Sequence, residues 1–442
     1  MLCYNAFAVK TGKGAARMMR RIAAILALLT ALSGVALASG CYVIDTDDVA
    51  ALVDADGAIL LDGVDRAFTV REGSLYAAGS TGDYALYDAT GMRLGDERFS
   101  MIDDAGDALI FFKDGLYGAM DDAGAVVLPA VWDQLVSNGA GGFLALSADM
   151  GDGALYISSG GDVSPTGVAV SGLTPFHDGR MPYVAEDGRY GCLDAAGGVA
   201  VPARFSWIGE YVDGMALAAK DGKYGMIDLD GAWRVEAKYG WMGRGDGIVA
   251  ALLPGEAVDV YDVQGSLLYT IRADATQAAA VGDCAAIWEA DAARLYNSRG
   301  RGVYEASPRA LFFPGAGGQV ILSEGRWGAA GQRLIDPSGI AGEGRYQRLL
   351  PLCADRYAYM TMQGVEYYSA DLDSLQISWD YGSVRWGLID GAGVELLPAE
   401  YREIRALGDD RLLLVTEDAV IFADLNGGTI RAWPAAPTKT NS

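Results

Sequence analysis

The chain has 442 residues, 51% of them hydrophobic and 21% charged, with 60 glycines and a formal net charge of −24. So much apolar content excludes a disordered chain, and the acidic balance disfavours nucleic acid and other polyanions as partners. A single histidine, His177, excludes Ser-His-Asp, Cys-His and histidine-rich metal chemistry on inventory alone.

Residues 1–40 differ in kind from the rest. They carry Lys10, Lys13, Arg17, Arg20 and Arg21 and no acid, followed by an uncharged apolar run that ends in small residues before Cys41. This is the pattern of an export signal. Leu37-Ala38-Ser39-Gly40-Cys41 resembles the lipobox of bacterial lipoproteins, with Cys41 as the lipid attachment residue, although Ala38 stands where that family favours leucine. Cleavage by ordinary signal peptidase after Ala38, giving a secreted protein, and an uncleaved anchor are the other readings. All three place the remainder outside the cytoplasm. Without the five leader charges, 29 basic residues face 58 acids and the net charge becomes −29.

From Tyr42 onward one unit recurs. Its cleanest copy runs from Gly214 to Gly231: an apolar strand Met215 to Ala219, the turn Asp221-Gly222-Lys223, a strand Tyr224 to Asp228, and a closing turn. The closing turn, Asp/Asn-x-x-Gly, is the register mark. Its glycines are Gly57, Gly91, Gly124, Gly160, Gly197, Gly231, Gly265, Gly300, Gly339, Gly393 and Gly427, spaced 33 to 39 residues apart except for one interval of 54. A third strand follows, such as AVVLPAVW or GVAVPARF. Eleven units at this period predict an all-β array of tandem antiparallel β-meander repeats, about 34 residues each. One propeller ring, two rings and an open superhelix all satisfy the pattern.

The strand before the closing turn carries an aromatic-glycine pair: Tyr117-Gly118, Tyr190-Gly191, Tyr224-Gly225, Trp327-Gly328 and Trp386-Gly387. With Leu128-Pro129, Val201-Pro202 and Leu397-Pro398 downstream, these pairs resemble the WG-repeat family over roughly residues 44 to 430. The resemblance implies an interaction module. The physical reading of the pair is a large ring beside a residue with no side chain, so that neighbouring backbone approaches closely; this predicts that Tyr190, Tyr224, Trp327 and Trp386 are equivalent core positions at junctions between units.

The interval of 54 residues marks an insertion at 362–383, read as a hairpin of its own. It concentrates Tyr367, Tyr368, Trp379 and Tyr381, the candidate ligand-binding residues, because insertions in repeat proteins commonly project from a binding face. The simpler reading is that these rings cover a neighbouring unit. The array therefore spans 41–432 after a signal peptide at 1–40, and 433–442 reads as a disordered tail.

Cys192, Cys284 and Cys353 each lie in an apolar strand and read as small buried hydrophobes. Acid clusters such as Asp54-x-Asp56 and Asp228-x-Asp230 recur where the repeat needs a turn, so turn chemistry explains them and no metal site is assigned. The reading is a non-catalytic binding or scaffold protein of the bacterial envelope, without cofactor, membrane-held through its N-terminal lipid, with a protein, a peptide or a neutral glycan as partner. A glycoside hydrolase using a carboxylate pair and a purely structural envelope protein are the alternatives.

Overall fold

The computed structural model describes residues 41–150, 153–170, 172–324, 331–336, 338–369 and 374–435. All of them belong to one compact unit, Ser39–Ser442. They form eleven antiparallel sheets of three or four strands, paired in chain order. The blades span 41–61, 66–99, 101–132, 134–169, 180–205, 207–239, 241–272, 277–306, 311–335, 348–401 and 403–434. First strands of neighbouring blades approach one another, as in blades 2 and 3 or 7 and 8, and fourth strands do not. The first strand is thus inner and the fourth outer.

The second and third strands read as continuous apolar runs because both of their faces are buried, one against each neighbour. In blade 6, Ala216 and Ala218 pack with Cys192, Val201 and Phe205 of blade 5. The alternate residue Met215 packs with Met242, Val249 and Ala251 of blade 7. Every junction between consecutive blades has such a cluster. The eleventh joins the ends of the array: Ile44, Ala51 and Val53 of blade 1 pack with Leu413, Val415, Val420 and Phe422 of blade 11. The array is a single closed eleven-bladed propeller. No strand is shared across the seam. Packing closes it, with the Tyr42 hydroxyl donating to Asp410 at 2.8 Å and the Arg411 guanidinium 5.7 Å from the Tyr42 ring.

The closing turns do three things at once. Their leading carboxylate accepts two backbone N–H groups, as Asp228 Oδ1 does from Asp230 at 3.1 Å and Ala232 at 2.9 Å. The same pair recurs at Asp54, Asp194 and Asp390. The acid clusters are turn chemistry, as the sequence indicated. The second turn residue offers its carbonyl to the preceding blade: Asn138 donates to Ala195 at 2.7 Å, Arg180 to Leu229 at 2.9 Å and Arg356 to Leu425 at 2.8 Å. The glycine then seals the junction. A Cβ on Gly231 would stand 2.6 Å from Val201, and one on Gly57 2.6 Å from Arg431, each in the outer strand of the blade before. Nine of the eleven turn glycines make this contact; Gly393 and the turn glycine of blade 4 do not. In blade 4 that glycine is Gly161, at positive φ, rather than Gly160.

Among the described residues, three blades lack a strand. Blade 5 has no inner strand because Pro175 and Pro182 lack the N–H groups that would pair it, leaving only the bridge from His177 to Arg180. Blade 1 begins with its second strand, Cys41–Asp45. Blade 9 has lost its outer strand. At the other end of the chain, the strand Thr429–Pro434 extends the array beyond 432, and Trp433 packs on the closing cluster. Residues 436–442 lie outside the described residues.

Candidate functional site

The strands Arg356–Ser369 and Ser374–Asp390 of blade 10 have 14 and 17 residues, whereas no other strand exceeds seven. Their lower halves are ordinary blade strands: Arg348 to Pro351 pair with Met360 to Tyr357, and Trp386 pairs with Tyr401. Beyond the pair Thr361 and Arg385 the two strands pair only with each other, after a bulge between Thr361 and Gln363. The insertion is therefore not a separate hairpin. It is the hairpin of the blade itself, prolonged into a two-stranded ribbon that leaves the ring at the end opposite the closing turns.

The base of the ribbon is tied down. Ser383 donates to the Asp380 carbonyl at 2.6 Å and accepts from the Gln363 N–H at 2.8 Å, while Arg385 donates to Glu417 of blade 11 at 3.0 Å. Tyr381, in the bulged stretch, is 76% exposed. Tyr367 is paired with Gln376, Tyr368 with Leu375, and Trp379 with Gly364. Side chains of those three aromatics lie outside the described residues.

The aromatic-glycine pairs do different work. Tyr190 pairs with Phe205 and Cys192 with Val201, so three residues of the outer strand bulge opposite Gly191. The same step occurs at Tyr117 with Trp132, Tyr224 with Tyr239, and Trp386 with Tyr401. Glycine is required because a Cβ at 191 would stand 2.4 Å from the Val201 carbonyl oxygen, and at 225 2.4 Å from that of Val235. The Leu-Pro or Val-Pro segment is the bulge itself. Residues 190–224 match the family described as WG containing repeat.

One WG repeat is thus placed in this chain, at residues 190–224.

No curated protein matches it. Among solved structures the propeller is similar to a eukaryotic initiation factor at 11% identity, covering 83% of this chain and 97% of that one with a TM-score of 0.37. BamB from Moraxella catarrhalis is similar at 15% identity, with 66% and 91% covered and a TM-score of 0.29. PorZ of Porphyromonas gingivalis, a bacterial surface component of the type-IX secretion system, is similar at 12% identity, with 85% and 63% covered and a TM-score of 0.25.

The WG register corrects two expectations. Tyr117, Tyr190, Tyr224 and Trp386 are half-buried, and the fully buried rings are their cross-strand partners Trp132, Phe205 and Tyr239 in the outer strands. Each hallmark ring does pack against its junction cluster, as expected, but only partly buried, and Tyr117, Tyr190 and Tyr224 do so beside a more deeply buried partner. Trp327-Gly328 lies outside the described residues, and the register position it was read to occupy, four residues before the turn at Asp336, belongs to Gln332-Arg333.

Cys41 is the first residue of the first strand, 8% exposed among Leu52, Ala67, Tyr76 and Ala78. Its carbonyl accepts the Tyr76 hydroxyl at 3.0 Å, and burial pushes its thiol up to about 11. Cys192, Cys284 and Cys353 are buried free thiols, as expected. His177 is half-exposed and lies 3.5 Å from Glu210. One buried acid breaks the apolar pattern. Asp259, in the place of the hallmark glycine in blade 7, accepts the Tyr239 hydroxyl at 2.6 Å and the Thr270 hydroxyl at 2.6 Å, which joins blades 6 and 7 through a satisfied polar pin.

Proposed function

We propose that this WG propeller is a non-catalytic binding or scaffold protein that works outside the cytoplasm, with the blade-10 ribbon as its contact surface. The observation that carries the reading is the ribbon itself, which prolongs a blade hairpin past every ring neighbour. A two-stranded ribbon is marginal alone in water, so a segment of this kind gains order from what it meets. Its aromatic residues, Tyr367, Tyr368, Trp379 and Tyr381, suit a peptide, a protein surface or a neutral glycan. Glu366, Asp371, Asp373 and Asp380 oppose an anionic polymer.

The leader supports export, and lipid on Cys41 is the proposed tether. Because the Cys41 side chain packs inside the junction between blades 1 and 2, acylation requires the head of the first strand to leave the sheet. Replacing Cys41 with Ala then releases the protein from membranes while the ring stays folded. Retention of a correctly cleaved Cys41→Ala protein would remove lipid from the account.

The functional test compares the exported protein with one lacking residues 362–383, on peptide and neutral-glycan arrays. Binding that vanishes on deletion, at unchanged melting, supports the ribbon. Binding that survives deletion moves the contact surface elsewhere on the ring.

A further inference from the structure

Blade 9 is where the outer wall of the ring lapses. Its fourth strand is reduced to two bridges, Ile335 to Ala341 and Gln332 to Tyr346, on either side of a bulge over 342–345. The turn glycine of blade 10 consequently has nothing to seal against. A Cβ on Gly393 would find no atom nearer than the Tyr346 hydroxyl at 3.7 Å, where its counterpart at Gly231 meets Val201 at 2.6 Å. What remains between the two blades is a cleft of about 640 Å³. That is the size of a small-molecule site. It opens at the closing-turn end, away from the ribbon.

The lining combines two chemistries. Leu334 and the half-buried Tyr346 ring, itself 5.3 Å from the Tyr359 ring, give an apolar floor, and Ile340 stands at the rim 69% exposed. Asp336 and Glu343 supply carboxylates to the wall, and the backbone from Gly391 to Gly393 completes it. Two further acids lie close by: burial, and then the charges of Glu395 and Asp390, raise the Tyr346 hydroxyl above the usual range. Asp336 and Asp390 each commit Oδ1 to their own turns, and Glu395 accepts the Tyr359 hydroxyl. Among the described residues none of these four acids has a basic side-chain partner, although acids nearby do: Glu324 pairs with Arg333, Asp355 with Arg356 and Glu417 with Arg385. Arg345, on the bulge, is exposed and is not part of the lining.

We propose that this cleft binds an aliphatic cation, with an apolar stem on Leu334 and Ile340 and an ammonium or guanidinium head over the Tyr346 ring beside Glu343 and Asp336. A cation over an aromatic face and against carboxylates satisfies both halves of the lining, and the field of the unpaired acids excludes anions. The head group can come from a free polyamine or from a lysine or arginine side chain of an extended peptide. Nothing in this inference depends on the ribbon.

Calorimetric titration of the exported full-length protein tests it with agmatine, with neutral 1-pentanol, and with N-acetyl-arginine amide flanked by alanines. Agmatine is expected to bind, Glu343→Gln to weaken it about tenfold, Tyr346→Ala to abolish it, and Tyr346→Phe to retain it because the ring is kept. A tighter arginine peptide identifies a peptide side chain as the source, and tighter agmatine a free polyamine. Absence of heat with both cations overturns the proposal. So does 1-pentanol binding as well as agmatine, or unchanged agmatine binding by Glu343→Gln. Glu256→Gln, in a distant turn of blade 7, controls for the loss of net charge and leaves agmatine binding as in the parent; weakening there equal to that of Glu343→Gln would also overturn the site.

Discussion

The junction between blades 5 and 6 and the junction between blades 9 and 10 are built from the same repeat and come out differently. Both have the inner clamp: Arg180 donates to the Leu229 carbonyl at 2.9 Å in one, and Gln319 to the Gly391 carbonyl at 2.6 Å in the other. Both have the aromatic-glycine pair, at Tyr224-Gly225 and Trp386-Gly387. Only the first has an outer strand for the turn glycine to close upon, with Val201 below Gly231 and Arg204 donating to the Gly231 carbonyl at 2.8 Å. The inner clamp is thus sufficient to hold blades in a ring, and the outer strand seals the space between them. Where the seal of blade 9 lapses, room for a ligand appears, and the adjoining blade 10 carries the ribbon. The regular sector makes the scaffold, and the sector that departs from the repeat carries the candidate sites.

The largest effect expected from this contrast is in the core of the sealed junction. Phe205→Ala, removing a ring 1% exposed, should cost about 3–5 kcal/mol, and Tyr346→Ala in the open junction about 1–2 kcal/mol. Equal shifts of the urea midpoint would mean that the open junction is packed after all. Within one blade the same ordering holds. Tyr239→Ala should lower the midpoint more than Tyr224→Ala, since the former is fully buried and the latter half-buried. The reverse ranking would restore the hallmark ring as the core position.

Glycine replacements sharpen the comparison further. Gly231 and Gly393 have φ of +74° and +80°, so alanine at either costs about 1 kcal/mol of backbone strain. Gly231→Ala adds a clash with Val201, which brings the total to about 2–4 kcal/mol. Thermal melts that show no difference between the two variants would contradict the seal. Deleting 362–383 should move the melting temperature by no more than about 2 °C, a surface-scale change, because Met360 and Trp386 already face each other and Thr361, Val384 and Arg385 remain as a three-residue turn between them.

The smallest expected effect is a pH effect at one turn. Hydrogen bonds from the Thr90 hydroxyl, and from the Thr90 and Met92 N–H groups, hold Asp88 below its ordinary range against a small cost of desolvation. A depressed carboxyl adds stability above its unfolded pKa, which is lost as pH falls through the folded value. Thr90→Ala should lower stability slightly above about pH 4, where Asp88 is ionised, and the loss should fade as pH falls through the folded value. A loss of the same size at every pH would assign Thr90 a packing role instead.

Much of this was legible in the sequence, for identifiable reasons. Turn glycines repeat because positive φ is a local demand, so they mark the blades without knowledge of the fold. The outer-strand aromatics were equally periodic: the buried Trp132, Phe205 and Tyr239 and the half-buried Tyr401 each follow their hallmark ring by fifteen residues. Trp327-Gly328 has the hallmark letters nine residues before its turn acid, where the others stand four before, and spacing should have outweighed identity there. Ring closure was not readable, because it depends on small rotations summed over eleven junctions. The cleft was not readable either, since it arises from a strand that fails to form at Gly342, Glu343 and Gly344. Proline spacing did carry information, for Pro175 and Pro182 foretell the missing inner strand of blade 5.

The most direct test of a closed ring with one departing sector is amide hydrogen exchange over the whole chain. A closed ring predicts that the strands Ala50–Asp54 of blade 1 and Arg411–Val415 of blade 11 exchange as slowly as Met215–Lys220 of blade 6. Fast exchange should be confined to the ribbon beyond Thr361 and to residues 340–346. Blades 1 and 11 exchanging well ahead of blade 6, as the frayed ends of an open array do, would contradict the account.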